Sequence, residues 1–169
     1  MIPVLQTARL VLRPFAEADL DPFAAMQADP EVMRFVGVGP TAGQPRGRVE
    51  TWVNMATFLG QWALRGCGFW AVEHAGRFIG RAGIQCPEGW PEPELAYSLA
   101  REAWGQGFAT EAAGAALLWA REALRGEAIV SYIRPGNEAS RGVARRLGGV
   151  STGLFPVLDF TVERWSYPQ

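Results

Sequence analysis

The chain has 169 residues, 49% of them hydrophobic, with 16 basic and 17 acidic side chains and a formal net charge of -1 at pH 7. That size and apolar content suit a single domain with a packed core over 1–169, and the balanced charge gives no reason to expect a nucleic acid or an anionic membrane as partner. Cys67 and Cys86 are too few for a disulfide framework, no secretory segment opens the chain, and no apolar run reaches about eighteen residues, so a reducing cytoplasm is the expected setting.

Residues Thr7 to Arg13 alternate polar with apolar side chains and end at Pro14, which predicts a first strand. The spacing of Phe15, Leu20, Phe23, Ala24 and Met26-Gln27 predicts a helix after Glu17. Asp29-Pro30-Glu31 reads as an N-cap followed by proline in the first turn of another short one. Beyond a Pro/Gly-dense loop at 37–47, Val49 to Leu64 is expected to be a helix with Val49, Trp52, Val53, Ala56 and Leu59-Gly60 on its apolar side. Phe69 to Val72 and Phe78 to Ile84 then form a hairpin around Glu73-His-Ala-Gly-Arg77. His74, the sole histidine, has no companion with which to bind a metal and is expected as an exposed turn residue. The loop from Pro87 to Pro93 is either a plain connection or a wall of a pocket.

At Glu94 begins the most informative stretch. Leu95, Tyr97 and Leu99 alternate with Ala96, Ser98 and Ala100, the period of a strand with one bulky and one small face. From Ala109 the period lengthens, and Ala112, Ala113, Ala116, Leu117 and Ala120 make the stripe of a buried helix. Between them, Gly105 and Gly107 leave the amides at the helix start open, which together with the helix dipole makes an anion site. A strand, glycine turn and helix is also ordinary α/β punctuation. A Walker loop is excluded because the chain has no lysine, and a dinucleotide fingerprint because Thr110 stands where its third glycine belongs. Downstream, Ala128 to Arg134 predicts a buried strand. Pro135 to Ser140 turns into a helix that ends at Gly148-Gly149, and strands near 150–153 and 157–167 close the sheet.

Trp104-Gly-Gln-Gly-Phe-Ala109 resembles motif A of the GNAT acetyltransferases, the loop that holds the pyrophosphate of acetyl-coenzyme A. Its wording, continued through Thr110-Glu-Ala112, is similar to the RimJ/RimL-like branch. So is the opening Thr-Ala-Arg-Leu-Val-Leu-Arg-Pro-Phe with the later Asp-Pro-Glu-Val-Met-Arg-Phe-Val-Gly37. Asn137 to Gly148 resembles motif B. The resemblance covers nearly the whole chain and implies an α+β GNAT fold: a mixed, mostly antiparallel sheet, splayed between its fourth and fifth strands, with helices on both faces.

It further implies an N-acetyltransferase with acetyl-coenzyme A as co-substrate, no metal, and a primary amine as acceptor, either a protein N-terminus or a small molecule, in a monomer or homodimer. The backbone of Tyr97 and Leu99 would serve the pantetheine and the oxyanion. The turn Gly105, Gln106, Gly107, Phe108, Ala109 and Thr110 would take the pyrophosphate, and Asn137 the pantetheine arm. Glu94 stands where many GNAT enzymes keep a catalytic glutamate, with Glu92 and Glu88 as neighbouring carboxylates. Ala144 occupies the position of the usual tyrosine acid. A thiolate with a pKa near 8.5 needs little acid help, and Ser140 or Tyr132 could hydrogen-bond it. An intact cofactor loop without that tyrosine would also suit a non-catalytic acyl-coenzyme A binding module.

Overall fold

The computed structural model describes residues 1–168. Its eight strands are β1 (Leu5–Gln6), β2 (Leu10–Arg13), β3 (Phe69–His74), β4 (Arg77–Gln85), β5 (Glu94–Leu99), β6 (Val130–Ile133), β7 (Val150–Val157) and β8 (Phe160–Ser166). They form one sheet in the order β1-β2-β3-β4-β5-β6-β8-β7. Neighbours are antiparallel except β5 and β6, which run parallel and pair at Glu94–Val130 alone. The expected splay is therefore present. Its strands are the fifth and sixth here because β1, folded back by a turn from Thr7 to Leu10, adds one strand ahead of β2.

Five α-helices flank the sheet: α1 (Leu20–Gln27), α2 (Pro30–Met33), α3 (Arg48–Arg65), α4 (Phe108–Ala123) and α5 (Glu138–Arg146). Phe15, Phe23 and Phe58 pack with Phe69 on one face of the sheet. On the other, Leu95, Leu99 and Ile133 meet the alanine stripe of α4. The local signals act as chemistry dictates. The Asp29 carboxylate accepts the Glu31 amide at 2.9 Å and caps α2. Gly149 and Gly148 donate to the carbonyls of Ala144 and Arg145 and close α5, with Gly148 at φ 78°.

Helix α3 corrects one expectation. It carries two apolar stripes, and the one turned inward is Thr51, Met55, Phe58 and Trp62, while Val49, Trp52, Val53 and Leu59 face outward. The buried stripe makes aromatic pairs: Phe58 with Phe69 at 4.7 Å, and Trp62 with Trp70 at 4.7 Å and Trp119 at 5.2 Å. Each such pair adds about 0.5–1.5 kcal/mol beyond burial, enough to decide between stripes of similar hydrophobicity. His74 is likewise not a free turn residue. It ends β3, its ring lies 4.5 Å from Phe108, and Nδ1 is 3.0 Å from the Arg9 carbonyl. Cys67 and Cys86 lie side by side at the open end of the β3–β4 hairpin, their Cα atoms 7.2 Å apart, one pair and no framework.

Candidate functional site

Where β6 leaves β5, the sheet opens into a cleft of about 1400 Å³, lined by Glu94, Tyr97, Leu99, Gly105, Gly107 to Thr110, Asn137 and Ser140, while Gln106, Glu92 and Ala144 lie outside its lining. Ala100 donates its amide to Ile79 beside β4. By strand alternation, residues 94, 96 and 98 also turn their amides toward β4, and those of Tyr97 and Leu99 face the gap. Two consecutive edge donors thus face the cleft with no strand opposite.

The cleft ends at the start of α4. Gly105 and Gly107 both sit in the left-handed region, at φ 74° and 80°. Gly107 is the N-cap and has no side chain with which to cap, so the first-turn amides at Phe108, Ala109 and Thr110 have neither an intrahelical partner nor a capping oxygen. Their side of the helix dipole is positive, which suits a pyrophosphate. Gln106 turns away and donates to the Glu102 carbonyl at 2.9 Å. The side chain of Phe108 is buried, so only its backbone can meet a ligand.

Three carboxylates near the start of β5 are sorted by environment. Glu88 is exposed and paired with Arg65. Glu92 forms a two-pronged pair with Arg164, at 2.6 and 2.7 Å, and accepts the Tyr132 hydroxyl at 2.9 Å. Arg164 holds its carboxyl below the usual range, which makes it a poor base near neutral pH. Glu94 is only 7% exposed. Burial pushes its carboxyl up, against the opposing hydrogen bonds from Gln85 Nε2 at 2.6 Å and Trp90 Nε1 at 2.7 Å. A raised carboxyl that is still oriented by two donors is the one suited to accept a proton. Trp90, Pro87 and Glu88 also line the cleft, so the loop they belong to is a wall of it.

Across the cleft, the Asn137 side chain accepts the Ser140 amide at 3.2 Å and caps α5. The Tyr97 hydroxyl donates to the Ser140 carbonyl at 3.2 Å, and burial raises its pKa. Tyr132 is committed to Glu92 and stacks on Phe155, which leaves Ser140 as the hydroxyl at the α5 end. Ala144 is fully buried and offers no acid.

Several residues that the sequence did not single out converge here. Arg9 donates to the Gln106 carbonyl at 2.9 Å, pairs with Glu111 at 2.7 Å and lies over the Phe108 ring, fixing the glycine turn. Arg81 reaches the cleft from β4, where it stands beside Ser98 and reads in sequence as an ordinary polar strand position. Arg46 and Arg134 also line it, from segments far apart in the chain.

The cleft thus combines a splayed sheet with open edge amides, a glycine-turned helix start and a buried carboxylate. The acetyltransferase (GNAT) domain profile matches residues 9–150, and the chain belongs to that family. A crystal structure of an acetyltransferase from Agrobacterium tumefaciens is 34% identical, superposes with a TM-score of 0.88, and is matched over 100% of this chain and 96% of that one. The FsC-acetyl coenzyme A-N(2)-transacetylase of Aspergillus fumigatus is 30% identical over 86% of this chain and 64% of its own length. RimL, a ribosomal L7/L12 alpha-N-protein acetyltransferase solved in complex with coenzyme A, shares the fold with a TM-score of 0.77 at 18% identity over 97% of both chains. The protein is thus an acyltransferase of a family that uses acetyl-coenzyme A, and the donors described above fit that co-substrate. None of its described helices is long and apolar enough to cross a membrane.

Proposed function

We propose that this acetyltransferase transfers the acetyl group to a primary amine, with Glu94 as the base. The observation that carries the proposal is the position of Glu94: buried, held by Gln85 and Trp90, and at the point where β5 and β6 part. Acetyl-coenzyme A supplies a thioester, whose C–S bond is exchanged for a C–N bond.

The amides at Gly107 to Thr110 bind the pyrophosphate, and Arg9 keeps their turn rigid. The open edge amides of Tyr97 and Leu99 align the acyl arm and stabilise the oxyanion. Glu94 takes one proton from the acceptor ammonium, so that a neutral amine faces the carbonyl. Of the two protons the nitrogen gives up, one is balanced by protonation of the thiol and one is released. Ser140 is the hydroxyl placed to hydrogen-bond the departing sulfur, and with Ala144 in place of a tyrosine the step depends little on an acid. The test is release of free thiol from acetyl-coenzyme A in the presence of an amine panel. Turnover with at least one amine is expected, and its absence with every amine would reject catalysis in favour of a binding role.

A further inference from the structure

The acceptor end of the cleft holds three guanidinium groups with no carboxylate within ion-pair distance among the described residues. Of the other arginines, Arg9, Arg13, Arg48, Arg65, Arg101, Arg141 and Arg164 are each matched to an acid, and Arg121 donates to the Pro168 carbonyl. Arg34 and Arg146, which also line the cleft, and Arg77, Arg125 and Arg145 are unpaired among the described residues but exposed to water. Arg81 lies over Phe69 at 4.1 Å and Phe58 at 5.0 Å, and its Nε is shut off from solvent without a hydrogen-bond partner. Phe69 pairs with Gly83, so the guanidinium leans along β4 from Arg81 toward the Gln85–Glu94 pair. Arg46 packs under Gly37, where an added Cβ would come within 2.5 Å of its Nη2. The loop that holds it also receives Arg134, which donates to the Gly37 carbonyl at 2.6 Å and rests on the Phe160 ring at 4.3 Å. Burial depresses the pKa of all three, that of Arg81 to about 10, where the Arg46 charge lowers it further. The acids that act on them do so across space: Glu94 on Arg81 and Glu50 on Arg46.

Like charges gathered in a partly buried cleft without ion-pair partners are costly unless a partner arrives to neutralise them. The coenzyme phosphates do not fill that role, because their helix start lies at the far end of β5, and α4 packs on the opposite face of the sheet from the phenylalanines that carry Arg81. We propose that the acceptor is a small amine that also carries an anionic group, carboxylate or phosphate, held by Arg81, Arg46 and Arg134 while its nitrogen faces Glu94. The guanidinium forks of Arg81 and Arg134, held on aromatic rings, are pre-oriented for such an oxyanion. The proposal rests on the acetyl-transfer reading for the identity of the amine, and on the arginines alone for the anion.

The experiment measures thiol release with acceptor pairs of which one member carries the anionic group and the other lacks it: amino acids against their amides, and phosphoethanolamine against ethanolamine, compared at equal concentration of the neutral amine. The anionic member of at least one pair should be favoured by about tenfold or more in kcat/KM, the worth of one charge-assisted hydrogen bond. The pair that responds tells carboxylate from phosphate. Arg46→Gln and Arg134→Gln, both nearer the surface than Arg81, should erase most of that preference and leave the KM for acetyl-coenzyme A unchanged. Neutral acceptors used as well as anionic ones, or a preference that survives both substitutions, would overturn the proposal. If no amine is acetylated, thermal shifts of the coenzyme A-loaded protein with the same pairs decide it. A larger shift with the anionic member, lost in both variants, keeps the anion site while the acetyl-transfer reading falls, and equal shifts reject it.

Discussion

Glu94 is asked to ionise where burial opposes ionisation, and both its activity and its effect on stability follow. Its carboxyl titrates above the ordinary value near 4.5. The rate should therefore rise with pH through that single raised ionisation, with no strong descending limb from a tyrosine at position 144. Glu94→Gln should lower turnover by about 10² or more and leave acetyl-coenzyme A affinity nearly unchanged, a split that steady-state and binding measurements resolve. Stability should move the other way. A group whose folded pKa is raised stabilises fully below its unfolded pKa, and that contribution is lost as pH rises through the folded value. The glutamine variant carries no ionisation, and its amide oxygen can still accept from Gln85 and Trp90. It should melt above wild type at neutral pH, by about 2–4 °C for each kcal/mol relieved, with the gap closing in acid. A variant that melts lower at pH 7 would show that the charged form is well satisfied.

Among the elements, the glycine turn before α4 separates ligand binding from backbone strain. Gly107→Val places a β-branched residue at φ 80° in the turn at the helix start, its Cβ 3.5 Å from Arg9 Nη2. Gly66→Val meets the same kind of penalty at φ 70° on the C-cap of α3, where nothing lies within 4 Å of the added atom. Each should cost about 1–3 kcal/mol of stability, while acetyl-coenzyme A affinity should fall in the Gly107 variant alone, as calorimetric titration would reveal. Equal affinity in both would reduce the turn to a connection. This turn was legible because its glycines, strand and helix are contiguous in the chain. The orientation of α3 was not. Val49, Trp52 and Val53 compete with Met55, Phe58 and Trp62 at the same helical period, and only the aromatic partners on β3 and α4 choose between them. The arginines of the acceptor end were hidden for a related reason, since β4, the loop after α2 and the end of β6 bring them together only once folded.

For the molecule as a whole, strand order and splay followed from three stretches that each resembled one family. Glu94 was separable from Glu92 and Glu88 only through Arg164 and Arg65, neither of which is adjacent in sequence. A co-substrate bound by the native state alone should raise the melting temperature, with about 2.7 kcal/mol of stabilisation at a hundredfold excess over Kd. No shift at millimolar acetyl-coenzyme A would remove the co-substrate from the account. The parting of β5 and β6 at a single residue pair has a consequence for the time scale of the backbone. Amides with no protein acceptor trade their protons with solvent without waiting for the sheet to open. Those of Tyr97 and Leu99 should take up deuterium early in the free protein, while Ala96 and Ser98, bonded into β4, remain slow. Saturation with acetyl-coenzyme A should slow the first pair into the range of the second, as though a missing strand had been laid in the gap.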